Sequence, residues 1–130
     1  MQIVDFEFIK DKNIFGLSNT AIKLEDIKKF IIPDTLIAVD WYIFSLLLIK
    51  GNKAVFTNET VSYYRQYEQN TVGLKNLDEK SFLKALEVKQ KHYKALSSNL
   101  GFYNLELKRL SNIGYEERKN IKNALWWELI

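Results

Sequence analysis

Cysteine is absent from this 130-residue chain. No disulfide can staple it, no thiolate can serve as a nucleophile, and no zinc–sulfur centre can form. Proline occurs once and glycine five times, which excludes a linker-rich or low-complexity protein. Histidine also occurs once, as His92 between lysines, and that setting predicts a surface residue. Long hydrophobic runs are missing as well. The longest, Trp41 to Ile49 with Ser45 inside it, is nine residues, whereas a helix needs about 20 to span a bilayer. The opening Met1-Gln-Ile-Val-Asp5 shows neither a basic leader nor a small-residue cleavage site, so no signal peptide is expected. A reducing cytoplasm suits this composition.

What is present points to a folded domain. Hydrophobic residues make up 47% and aromatics 14%, enough to build a core and to exclude a disordered segment. The length fits one domain more comfortably than two. The net charge of +3 is uneven: residues 1–74 carry 8 Lys/Arg and 9 Asp/Glu (−1), residues 75–130 carry 11 and 7 (+4). A solvated face of lysine-rich helices accounts for the excess, and weak attraction to an anionic surface is the other reading. Lysines interleave with Tyr93, Tyr103 and Tyr115, but acids are mixed among them and no recognition motif appears, so nucleic acid is not an expected partner.

The pattern changes character along the chain. Ile3 to Ile9 alternates and predicts a strand with Val4, Phe6 and Phe8 on one face. Gly16 to Thr20 is a polar turn between apolar pieces. A short helix is expected over 24–30, ended by Pro33. Ala38 to Ile49 reads as a helix, with Asp40 at its N-terminal end and Gly51 where a C-terminal cap belongs. Strands are expected over 53–57 and 60–66. Beyond Gly73 the spacing is helical: Asp78 to Leu96, with Phe82, Ala85, Leu86, Lys89 and Tyr93 in step, then 102–113 and 115–129. The expectation is an α/β (α+β) fold, mixed over 1–74, with a helical segment of about three helices over 75–130 packed on it. Three or four strands would leave an open sheet edge that wants a partner.

The order of four strings carries a resemblance. They are Gly16-Leu-Ser18-Asn19-Thr20-Ala21, Ile37-Ala38-Val39-Asp40-Trp41-Tyr42, Lys50-Gly51-Asn-Lys-Ala-Val-Phe56, and Tyr64-Arg65-Gln66-Tyr67 with Asn70-Thr71-Val72-Gly73. In this order the chain resembles the C-terminal, acceptor-side half of family 2 glycosyltransferases of the GT-A fold, over roughly residues 14–74. The resemblance implies a partial GT-A-like sheet. It also implies sugar transfer from a nucleotide-sugar to an acceptor hydroxyl of a polysaccharide, glycan or lipid-linked molecule, as in bacterial cell-surface polysaccharide biosynthesis. The nucleotide-binding half is not in the sequence, and neither is a Gly-rich phosphate loop. Asp5-Phe6-Glu7, the one early Asp-x-Glu string, lies among apolar neighbours and does not read as a metal motif. No metal ligand or cofactor is therefore expected from this chain alone, although the complete enzyme would use Mg²⁺ or Mn²⁺ by resemblance. Transfer by this chain alone is not expected.

Within the resemblance, Asp40 takes the position of the catalytic base. A sugar hydroxyl is too weakly acidic to ionise beforehand, so a carboxylate must accept its proton as attack proceeds; the plain alternative is a helix cap worth about 1 kcal/mol. The substrate-binding expectations are Ser18 and Asn19 (acceptor wall, or turn formers), Trp41 (sugar stacking, or core), Arg65 (donor diphosphate, or an internal ion pair), and Asn70 and Thr71 (sugar hydrogen bonds, or loop). Tyr67 departs from the family, where many members carry histidine, which puts a metal ligand from this half in doubt. Expected partners are a sugar acceptor and either the missing half or a second copy. Peripheral membrane contact through the C-terminal helices and Trp126-Trp127, at the cytoplasmic face, is a further expectation. The competing class is a stand-alone binding or dimerisation module derived from the same fold.

Overall fold

A computed structural model describes residues 1–23, 30–61, 63, 78–121 and 124–130. The helix expected over 24–29, most of the strand expected over 60–66, and Arg65, Asn70 and Thr71 lie outside the described residues. The chain divides into two units, one of Met1–Asp34 with Ala38–Tyr64 and one of Thr35–Ile37 with Arg65–Ile130. The architecture is mixed, with helices and a small sheet.

The first unit opens on strand β1, Gln2–Val4. Asp5 then ends the extended run: its carboxylate accepts from the Phe8 backbone N–H (3.4 Å) and starts the single-turn helix α1, Phe6–Ile9. This corrects the strand expected through Ile9. The alternating set Val4, Phe6, Phe8 gives way to a helical set: Phe6 and Ile9, three apart, are buried, while Phe8 is 41% exposed. Asp5 is thus accounted for as a helix cap.

Helix α2, Val39–Ile49, buries Trp41, Tyr42, Phe44, Ser45, Leu47 and Leu48. A helix apolar nearly all round belongs inside, and this one carries the core of its unit. It ends as its sequence predicts. Lys50 N–H donates to the Leu46 carbonyl (3.3 Å) and Gly51 N–H to that of Leu48 (3.0 Å). Gly51 stands at φ 90°, a left-handed conformation that glycine adopts without steric cost. The released chain forms β2, Ala54–Phe56, within the span expected for a strand. β2 pairs antiparallel with β1 in the register Gln2↔Phe56, Ile3↔Val55, Val4↔Ala54. Among the described residues the sheet has these two strands, where three or four were expected.

The second unit is built on α3, Glu79–Leu96. Asp78 caps it by accepting from Ser81 N–H (2.7 Å), and hydrogen bonding from the Ser81 side chain and then from that N–H holds the Asp78 carboxyl below its ordinary pKa. Phe82, Ala85, Val88, Lys89, His92, Tyr93 and Leu96 form its buried stripe. Helix α4, Gly101–Leu110, packs against it through Tyr103, which stacks at a tilt on Tyr93 with ring centroids 4.9 Å apart. The third helix, expected over 115–129, is replaced by two short pieces. Helix α5, Tyr115–Arg118, makes one turn, and a 3₁₀ turn covers Trp126–Glu128. Gly114 gives α5 no side-chain cap, and Leu125 is extended (φ −70°, ψ 153°), its N–H held by the Glu128 carboxylate at 2.8 Å. Burial of Trp126, Leu129 and Ile130 decides the geometry of this end.

Candidate functional site

Asp40 is the second residue of α2, after Val39. The first N–H groups of a helix lack intrahelical partners. Asp40 satisfies one of them: its Oδ1 accepts from the Trp41 N–H at 2.8 Å. The negative charge also suits the positive end of the helix dipole. The side chain is half-buried, neither in bulk water nor sealed in hydrocarbon. A carboxylate so placed has one oxygen fixed by the backbone and a direction fixed by the helix.

Aromatic contacts tie the chain at Phe15 to α2 and β2. Phe15 packs on Phe44, with centroids 5.4 Å apart, and stacks on Phe56 of β2 at 5.2 Å. Phe44 lies four residues after Asp40, one turn along the same helix face. Phe15 thereby anchors the start of the following turn, Gly16 to Asn19, to α2 and β2. That turn closes on itself. Asn19 N–H donates to the Gly16 carbonyl (3.2 Å), and Asn19 Oδ1 accepts from Gly16 N–H (2.8 Å) and from the Thr20 hydroxyl (3.1 Å). Ser18 and Asn19 are both exposed. Asn19 is thus a turn former whose oxygen is engaged, and Ser18 stands at the tip.

Trp41 does not fit its expected role. It is 1% exposed, so its ring offers no free face to a sugar. One residue further along a helix points about 100° away, and that rotation carries Trp41 into the core while Asp40 stays near the surface. Asp40, Trp41, Ser18 and Asn19 share one unit.

His92 is corrected most sharply. It is fully buried rather than on the surface, with Tyr93 and Tyr103 rings 5.9 and 6.0 Å away. Burial, and then the Lys89 cation three residues earlier, push its pKa down to about 3. The signal was present in the sequence: His92 follows Lys89 by three and precedes Leu96 by four, in step with the buried stripe. Lys89 is 3% exposed, and its Nζ donates to the backbone oxygens of Trp127 (2.8 Å) and Ile130 (2.9 Å). Trp126 is buried with this end of the chain, and Trp127 is half-buried.

Among the described residues no helix is long and apolar enough to cross a membrane. Among those residues, too, no group of three or more His, Asp or Glu side chains is arranged to hold a metal ion. No protein-family model matches this chain, and no curated protein or solved structure matches it.

Proposed function

We propose that this chain is the acceptor-side portion of a family 2 glycosyltransferase of GT-A-like fold. The observation that carries the reading is Asp40. It is a half-buried carboxylate, oriented by the first turn of a buried helix, at the motif position where that family places its base. The exposed turn Gly16 to Asn19, anchored at Phe15 to the helix that carries Asp40, supports an acceptor wall.

In this reading the acceptor hydroxyl attacks the anomeric carbon of a nucleotide-sugar. As the new glycosidic bond forms, the bond to the nucleoside diphosphate breaks and the diphosphate leaves with its electron pair. The hydroxyl proton passes to Asp40. A positioned base contributes typically ~10²–10⁴-fold, and the helix turn does the positioning. Ser18, exposed at its turn, is assigned to hydrogen-bond the acceptor, and Trp41 supports α2 from within. The nucleotide and its metal belong to a partner half.

The experiment is a ¹H–¹⁵N titration of the protein with neutral oligosaccharides and, separately, with nucleotide-sugars. Saccharides are expected to move the amides of Ser18, Asn19 and Trp41 together, and nucleotide-sugars alone to leave them in place. Saccharide-induced shifts confined to α3 and α4, or none at millimolar saccharide, would refute it.

One observation favours a second reading, a stand-alone dimerisation module. Ile3 and Val55 are cross-strand partners on β1 and β2, yet 66% and 54% exposed. Sedimentation separates the two: a tight dimer without saccharide binding favours the module.

A further inference from the structure

We propose that the C-terminal segment Leu125–Ile130 is a detachable strap, and that Lys89 of α3 is the bolt that holds it closed. The segment is short, and its first residue, Leu125, is extended. Its one element is the 3₁₀ turn Trp126–Glu128, whose internal support includes Glu128 N–H to the Leu125 carbonyl at 2.8 Å. A single turn of this kind does not hold itself together in water. Its order must therefore come from docking.

The docking has two parts. Trp126, Leu129 and Ile130, spaced three and four apart, are buried. A cation then meets the turn and the residues after it: Lys89 Nζ donates to the Trp127 oxygen within the turn and to the Ile130 oxygen two residues beyond it. The last carbonyls of any helical turn lack partners and carry partial negative charge. Lys89 supplies to this turn, from another helix, what a C-terminal cap would supply from within. Its ammonium also sits over the Tyr93 ring, 5.8 Å from the centroid, which fixes its approach. A lysine on an otherwise apolar stripe is costly to bury unless its protons find acceptors. The strap provides acceptors, so strap and bolt depend on each other. When the strap lifts, Lys89 regains water, and Trp126, Leu129 and Ile130 emerge together as an apolar hook.

The test uses the full chain carrying 5-fluorotryptophan, with ¹⁹F spectra and amide exchange, for the wild type and Lys89→Met. Methionine keeps the length and apolarity of the side chain and removes the donor. In the variant the Trp126 resonance is expected to move to a solvent-exposed position. Protection of the Glu128 amide should fall by about tenfold or more relative to the α3 amides, with the Trp41 resonance unchanged. A strap that stays docked in Lys89→Met overturns the proposal, and so does equal loss of protection in strap and α3, which would make this end ordinary core. If Lys89→Met does not fold, exchange in the wild type decides. The Glu128 amide must then open independently of α3, and coincident opening overturns the proposal.

Discussion

Acidification should destabilise this protein through one buried imidazole. His92 is folded into a stripe of aromatic and apolar side chains, and its folded pKa lies at about 3 against an ordinary value of 6.5. The unfolded chain therefore binds the proton first as pH falls. Stability from this group is fully present above about pH 6.5, drops through the window down to about pH 3, and is constant below it. Within the window the slope approaches 1.4 kcal/mol per pH unit. Between about pH 7.5 and about pH 5 the loss is about 2 kcal/mol. The comparison stops at about pH 5 because Asp78 and Glu87, whose hydrogen bonds lower their pKa values from 3.8 and 4.5, lose their contribution mainly below those values. Urea midpoints by far-ultraviolet circular dichroism, at both pH values, for the wild type and His92→Phe, measure the effect. The substitution shifts stability by an amount that pH does not change, so the difference in slope isolates the imidazole. The wild type should lose about 2 kcal/mol more than the variant. Equal losses would show that His92 protonates freely in the fold and refute its burial.

Three further outcomes follow from the first unit. Gly51→Ala should cost about 1–2 kcal/mol, because φ 90° is left-handed while open space surrounds the new methyl; thermal denaturation will read it. Ser45→Ala should be neutral or stabilising by about 1 kcal/mol, since the buried hydroxyl of Ser45 has no hydrogen-bond partner among the described residues. A loss on that substitution, by the same melting assay, would mean the hydroxyl is satisfied. Asp40→Asn should leave the fold intact at a cost of about 0.3–1 kcal/mol at the helix end. With the nucleotide-binding half supplied, that variant should lose ~10²–10⁴-fold in sugar transfer, measured as nucleoside diphosphate release.

Legibility followed the strength of local signals. Helix α3 could be read because Asp78 caps it and a long apolar stripe repeats at helical spacing. The end of α2 could be read because glycine marks a left-handed cap. By contrast, Val4, Phe6 and Phe8 fit a strand as well as Phe6 and Ile9 fit a helix, and the Asp5 cap decided between them. The region after Tyr115 carried a helical pattern, but its order comes from docking on α3, which spacing does not encode. At the candidate site, Asp40 was legible from its place before an apolar run. For Trp41 the sequence offered both sugar stacking and core, and its burial selects core. His92 was hidden by the lysines on either side, although its own position follows the buried stripe.

A crystal structure of the protein with a bound oligosaccharide would weigh the Asp40 assignment most directly. A sugar hydroxyl should lie within about 3.2 Å of the Asp40 carboxylate, with Ser18 at the edge of the same saccharide. A saccharide bound elsewhere, with Asp40 engaged only by its own helix, would contradict it.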